Sequence, residues 1–94
     1  MFDQCKAEYK AMMIRIEAVV KDKWPETLED EGNIWNWLDN HRSDLRAKHR
    51  TLTQRLNETW QNGMVVEFKK LVTEWGRVQL EIFKSYAAHL KETA

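Results

Sequence analysis

The amino-acid sequence predicts an all-α fold, an antiparallel three-helix bundle within a single domain that spans residues 1–94. The strongest observation is a seven-residue repeat in the last third of the chain, which only a long and nearly uninterrupted helix uses. The second is composition, since 43% of the residues are hydrophobic, 32% are charged, and only three glycines and one proline occur. The third is apolar spacing, which predicts helices at about 3–23, 33–61 and 64–92.

The first predicted helix, at about 3–23, carries apolar residues three and four positions apart, with Asp3 as its cap. It ends at Trp24, because the residue before Pro25 avoids helical backbone angles. Residues 26–32 are then predicted to form an acidic, solvated loop. Its negative charge favours the N-terminus of the next helix, where the helix dipole is positive.

The second predicted helix spans 33–61, with Asn33 as its N-cap. Gly63 ends it, because glycine takes the left-handed conformation that closes a helix without steric cost. The short loop at Gly63 makes the second and third helices a long antiparallel hairpin. Residues 40–43 favour caps and turns, so a kink there is the alternative, and it would raise the number of helices to four.

The third predicted helix, 64–92, contains the seven-residue repeat, which is typical of coiled-coil packing. The repeat places three glutamates and four cations at intervals of seven: Glu67, Glu74 and Glu81, and Lys70, Arg77, Lys84 and Lys91. This charged side is predicted to pair with itself in solvent. The apolar arc is wider than one helix covers, so this helix is either central or in contact with a second molecule. Gly76 predicts a close approach by a neighbour, and the hairpin register places His49 opposite it.

The formal net charge is zero, from 15 basic and 15 acidic residues, so no global field draws the chain to nucleic acid or an anionic membrane. Cys5 is the only cysteine, which excludes an intrachain disulfide and fits a reducing cytosol. The longest unbroken apolar run is Ala11 to Ile14, too short for a membrane span or a signal core. These features predict a cytoplasmic protein that does not contact a membrane.

The sequence contains no recognisable catalytic motif. It has no glycine-rich phosphate loop, no Gly-x-Ser-x-Gly and no cysteine spaced with a histidine and a carboxylate. The histidines at 41, 49 and 89 lack the spacing with which helical bundles hold metals. We therefore expect no enzymatic activity, no metal and no cofactor.

One side of the first helix carries small residues at spacings of four, three and four: Ala7, Ala11, Ile14 and Ala18. Such a face admits a second helix, although alanine also suits any exposed helix because of its high helix propensity. A flank of the third helix, at Phe83 and Ala87, is the other candidate surface. The leading hypothesis is a non-enzymatic protein–protein interaction module, an adaptor or small regulatory subunit, that forms a homo-oligomer.

A line of arginines supports an alternative function. Arg42, Arg46 and Arg50 are spaced by four, and Trp35 and Trp60 project near the same flank. Arginines in a line follow a phosphate backbone, and neighbouring aromatic rings stack on single-stranded bases. An acidic protein partner suits the same line, and an ordinary solvated helix face also contains this spacing. The alternative is therefore an accessory subunit that contacts nucleic acid.

Overall fold

The computed structural model describes residues 2–93, apart from the side chains of residues 2–5 and 31. The described chain forms five helices and no strand: α1 (Phe2–Lys23), α2 (Pro25–Glu29), α3 (Glu31–His41), α4 (Ser43–Gln61) and α5 (Val65–Thr93). The predicted all-α bundle is confirmed. The predicted count of three is wrong, because the second helix is divided and the expected acidic loop is itself helical.

α1 ends at the predicted proline, and α2 starts there. Pro25 is the first residue of α2, a position that tolerates proline because its missing N–H would have no partner in the helix. Thr27 is fully buried, and its hydroxyl donates a hydrogen bond to the Trp24 carbonyl at 2.6 Å. Leu28 also packs against the core. The predicted solvated loop is therefore wrong. The segment is acidic, as the prediction assumed, but Thr27 and Leu28 face inward and hold it against the core.

The chain turns between α3 and α4 at Arg42, which leaves helical conformation with φ −136° and ψ 58°. This break lies within the 40–43 segment where a kink was the alternative. The two helices fold back on each other, so that Arg46 Nε lies 3.1 Å from the Asp39 carboxylate. The continuous helix predicted for 33–61 is therefore wrong, and only α4 forms the antiparallel hairpin with α5.

The turn between α4 and α5 is a Schellman motif. Gly63 has a positive φ of 66°. The Met64 N–H donates to the Thr59 carbonyl at 2.9 Å, and the Gly63 N–H donates to the Trp60 carbonyl at 3.3 Å. These two bonds satisfy carbonyls that the end of α4 would leave unpaired. The prediction that Gly63 ends this helix in a left-handed conformation is confirmed.

α5 is the central helix, and α1, α2, α3 and α4 all pack against it. Its apolar arc supplies eight buried residues: Phe68, Leu71, Val72, Trp75, Gly76, Val78, Ile82 and Tyr86. α4 runs antiparallel to α5, whereas α1 runs parallel to it, with Glu8 beside Lys69 and Met12 beside Gly76. The up-down-up order of a three-helix bundle is thus kept, although α2 and α3 are added to it.

Gly76 lies where α1 packs closely on α5. A Cβ atom built there would lie 3.0 Å from Met12 Sδ and 3.6 Å from Ile16 Cδ1. The predicted close approach is confirmed, but the neighbour is different. Met12 fills the space that the hairpin register had assigned to His49, whose ring instead lies 6.2 Å from that of Trp75.

The seven charged residues of the α5 repeat are all exposed, as predicted. No ion pair within 4.0 Å joins two of them among the described side chains, so the predicted self-pairing is not formed. Glu67 instead lies 4.0 Å from the Arg55 guanidinium of α4. Exposed pairs of this kind contribute at most about 1 kcal/mol to stability. The charged side of α5 is therefore stabilised by hydration rather than by ion pairs.

Replacing Gly76 by valine is expected to lower the free energy of unfolding by about 1–3 kcal/mol, because the added carbons meet Met12 and Ile16. Urea denaturation followed by circular dichroism measures this change. Gly32→Ala is the matched control, since nothing lies within 4 Å of its Cβ position, and alanine there should raise stability by up to about 1 kcal/mol. An equal or higher stability of Gly76→Val would contradict the packing of α1 on α5.

Candidate interaction surfaces

The outer side of α1 forms an exposed surface, which we call the alanine face: Ala7, Ala11, Ile14 and Ala18. All four residues are exposed. Ile14, near its centre, is 66% exposed, and the adjacent Met13 is 40% exposed. Ile16 and Val20 of the same helix are buried against the core. The alanine face is therefore the side of α1 that the fold leaves uncovered, as the sequence predicted.

The second candidate surface, at Phe83 and Ala87, is half-buried. Phe83 packs against the core and lines a cavity of about 260 Å³ between α1, α3 and α5. Met13 lines the same cavity, so Phe83 lies close to α1 beside the alanine face. Ala87 does not line this cavity. The wide apolar arc of α5 is thus covered mainly by the helices of this chain.

Arg42, the first residue of the arginine line, is held within the chain. Its guanidinium Nε and Nη2 donate to the two carboxylate oxygens of Asp44 at 3.2 and 3.3 Å. Nη1 lies 3.4 Å from the Ser85 hydroxyl of α5. The hydrogen bond between the two groups raises the pKa of Arg42 and lowers the pKa of Asp44. This arginine therefore joins the α3–α4 turn to α5.

Arg46 is also engaged, because it pairs with Asp39 and its guanidinium lies 4.6 Å from the centre of the Trp35 ring. Arg50 is exposed and forms no ion pair within 4.0 Å among the described side chains. Trp35 lies beside the first turns of α4, whereas Trp60 belongs to its last turn, roughly 20 Å along a helix from Arg46. The two tryptophans are therefore separated along the length of α4 rather than adjacent.

A cluster of aromatic rings covers the C-terminal part of α5. Trp37 lies 5.1 Å from His89, and the rings of His41 and His89 are 6.0 Å apart. The Tyr86 hydroxyl donates to the Asp30 carboxylate at 3.3 Å, and burial, with the negative charge of Asp30, raises the pKa of this phenol. No group of three or more potential ligands occurs among the described residues that could hold a metal ion. The cluster packs α3 against α5.

A cavity between α1 and α4 was not predicted from the sequence. Within residues 2–93, these two helices pack against different flanks of α5, and their backbones lie apart from each other. The space between them is a cavity of about 490 Å³, with α5 as its floor. Four aromatic side chains line it: Tyr9, Trp60, Phe68 and Trp75. We call it the aromatic cavity.

Two polar atoms beside the aromatic cavity are buried without a hydrogen-bond partner, His49 Nε2 and Gln79 Oε1. Such atoms are few in folded proteins, and each costs about 1–3 kcal/mol. Burial lowers the pKa of His49, and the charge of Arg46 lowers it further, so the imidazole is neutral at pH 7. The sequence does carry a signal for this site, because both residues occupy core spacing on their helices although both are polar.

The described side chains that line the aromatic cavity carry charge of one sign. Lys6 and Lys10 of α1 line it and are exposed, and no carboxylate is among the described side chains that line it. The described lining therefore combines aromatic side chains with two exposed lysines, whereas His49 Nε2 and Gln79 Oε1 lie behind it without accessible surface.

The fold places this chain among small all-α helical bundles. Within residues 2–93, no helix combines the length and the apolar character that crossing a bilayer requires. Comparison of the chain with family models, with curated proteins and with solved structures found no significant match. The geometry of the surfaces described above is therefore the basis for a functional proposal.

Stability is expected to fall more steeply with acid in the wild-type protein than in His49→Gln. Below a pH of about 6.5, the unfolded chain takes up a proton at His49. The folded site resists protonation because its pKa is lowered, so acid favours unfolding. Urea denaturation at pH 7.5 and 5.5 should show an extra loss of up to about 1 kcal/mol in wild type. Other ionisable groups are common to both proteins, and equal losses would contradict the burial of this imidazole.

Proposed function

We propose that the protein is a non-enzymatic helical interaction module that associates with a second copy of itself through the alanine face of α1. The observation that carries this proposal is the 66% exposure of Ile14 at the centre of a face otherwise made of alanines. Burying an isoleucine side chain contributes about 1.5–3 kcal/mol. Small residues around it let the axis of another helix come close.

The charges beside the alanine face favour a second copy in antiparallel orientation. Helical spacing places Lys10 and Glu17 along one edge of the face, and Glu8 and Arg15 along the other. In a two-fold antiparallel pair, each edge lies against the same edge of the other copy, in the opposite direction. Unlike charges then come opposite each other on the edge that carries Lys10 and Glu17, whereas Glu8 on the other edge is paired with Lys69 of its own chain. The net charge of zero adds no long-range repulsion between copies.

The nucleic-acid alternative has less support from the geometry. Two of the three arginines in the proposed line, Arg42 and Arg46, are bound to carboxylates of this chain. Arg50 alone does not form a track along a phosphate backbone. The alternative stays a prediction: it requires binding that weakens steeply with salt and disappears when all three arginines become glutamate.

Ile14→Glu is expected to weaken self-association by at least about tenfold in dissociation constant, because it places a charge at the centre of the interface. Sedimentation equilibrium over a range of protein concentrations measures the constant. Ala47→Glu is the matched control, since Ala47 is exposed on α4 and lies outside the alanine face. Circular dichroism establishes that both variants keep the helical fold.

Two results would contradict the proposal. If the wild-type protein stays monomeric at millimolar concentration, it does not self-associate through the alanine face. An equal loss of association in Ile14→Glu and Ala47→Glu would mean that added negative charge, rather than the interface, determines the result.

A further inference from the structure

Two histidines from different helices lie side by side at one end of the bundle. His41 is the last residue of α3, and His89 belongs to the last turns of α5. We call these two residues the histidine pair. Histidine spacing along the sequence argued against a metal site within one helix, but spacing contains no information about a pair that the fold assembles. The histidine pair takes no residue from the alanine face, so it is independent of the proposed self-association.

Both members of the histidine pair are accessible. His41 is exposed and His89 is half-buried, and both line an open cavity of about 540 Å³ between α3 and α5. Their ring nitrogens form no hydrogen bond with any residue that the structure describes. The histidine with a buried and unpartnered ring nitrogen is His49, not His89. The imidazole lone pairs of the histidine pair are therefore available to a ligand from solvent.

The separation of the two rings fits a shared metal ion. A histidine nitrogen binds Zn²⁺ at about 2.0–2.1 Å, so the ion lies about 3 Å from the ring centre. Two rings on one ion then have centres about 5 Å apart at a tetrahedral angle and about 6 Å apart at a wide angle. The centres of the His41 and His89 rings are 6.0 Å apart, at the upper end of this range. Because His41 is exposed, its ring can rotate toward His89 without displacing the core.

Neighbouring aromatic side chains position His89. The centre of its ring lies 5.1 Å from that of Trp37 and 5.9 Å from that of Tyr86. Tyr86 is buried, and its hydroxyl is bound to the Asp30 carboxylate. Metal sites depend on surrounding groups that orient the ligand rings. One imidazole of the pair is therefore held in place before an ion arrives.

The charges around the histidine pair favour a cation. Arg42 and Lys84 line the same cavity, and so do Glu81 and Glu92. Arg42 is already bound to the Asp44 carboxylate, whereas neither glutamate forms an ion pair within 4.0 Å among the described side chains. The described lining thus leaves one unpaired cation and two unpaired carboxylates, and a positive ion is attracted to that balance.

We propose that the histidine pair binds one late first-row divalent transition-metal ion, of the class of Ni²⁺, Cu²⁺ and Zn²⁺, through one ring nitrogen of each histidine. Imidazole suits these ions, whereas Mg²⁺ and Ca²⁺ take oxygen ligands. Water completes the coordination, because no group of three potential protein ligands occurs among the described residues. The ion joins the C-terminal end of α3 to α5.

The position of binding is tested with Ni²⁺ and the full chain, since a paramagnetic ion broadens the NMR signals of nearby protons. The ring-proton signals of His41 and His89 are expected to broaden first. Those of His49 should persist, because it packs against Trp75, roughly 20 Å along α5 from His89. No broadening at millimolar Ni²⁺, or equal broadening of all three histidines, would overturn the proposal.

The ligands are tested by isothermal titration calorimetry with Ni²⁺. His41→Gln and His89→Gln are each expected to weaken binding at least about tenfold, because each removes one metal bond. His49→Gln is the matched control, since it removes the third histidine and should keep the wild-type affinity. Circular dichroism establishes that the three variants keep the helical fold. Wild-type affinity in His41→Gln or His89→Gln would overturn the proposal, and so would an equal loss in His49→Gln.

The link between α3 and α5 is tested by urea denaturation. An ion that binds the folded chain raises its stability, so Ni²⁺ well above its dissociation constant should raise the urea midpoint of the wild-type protein. The double variant His41→Gln and His89→Gln should show no rise. Mg²⁺ at the same concentration should leave the wild-type midpoint unchanged. An equal rise with Mg²⁺ or in the double variant would mean a general effect of divalent cations and would overturn the proposal.

Discussion

The width of the apolar arc on α5 is the constraint on which the rest of the structure depends. The buried residues of this helix extend from Gly76 on one edge to Val78 on the other, a sector of about 160° at roughly 100° per residue, which is too large for one partner. α1 and α4 therefore occupy separate flanks and leave a space between them. The alanine face and the aromatic cavity both follow from this arrangement, as the outer and inner sides of the same helix α1.

The length of α5 has a second consequence. α5 contains 29 residues and α4 contains 19, so α4 covers only part of α5 and leaves its last turns uncovered. The chain covers the remaining turns by reversing at Arg42 and laying Trp37 against Tyr86 and His89. α2 closes the same end, where Thr27 is buried. The break between α3 and α4 lets Trp37 pack on this end of α5, and Arg42 at the break contacts Ser85 of α5.

Features that depend on local sequence could be predicted. Pro25 ends α1, Gly63 closes α4, and the repeat on α5 defines its exposed and buried sides. Features that depend on tertiary packing could not be predicted. The segment 40–43 indicated where the helix is weak, but the reversal there depends on tertiary contacts, such as those of Trp37 with Tyr86 and His89. The predicted neighbour of Gly76 was wrong for the same reason, because the register of the α4–α5 hairpin contains no information about the position of α1.

The candidate surfaces differ in the same way, since some depend on local helical spacing and others on tertiary packing. The alanine face could be predicted, since it needs only helical spacing on one element. The ion pairing of the arginines could not be predicted, because Arg46 reaches Asp39 only once α3 folds back on α4. The cavity depends on how far apart α1 and α4 lie on α5. His49 and Gln79 were nevertheless visible as polar residues at core positions, which is the pattern that functional sites often add to a packed core.

α1 contributes to both the alanine face and the aromatic cavity, and this has a thermodynamic consequence. Lys10, at the aromatic cavity, is followed directly by Ala11, on the alanine face. α1 is held on α5 by the buried side chains of Ile16 and Val20 and by the contact of Met12 with Gly76. A shift of α1 on α5 would therefore change the alanine face and the walls of the cavity together, and any free energy that links the two surfaces acts equally in both directions. The two surfaces are separate in position but share one helix, so both depend on its placement on α5.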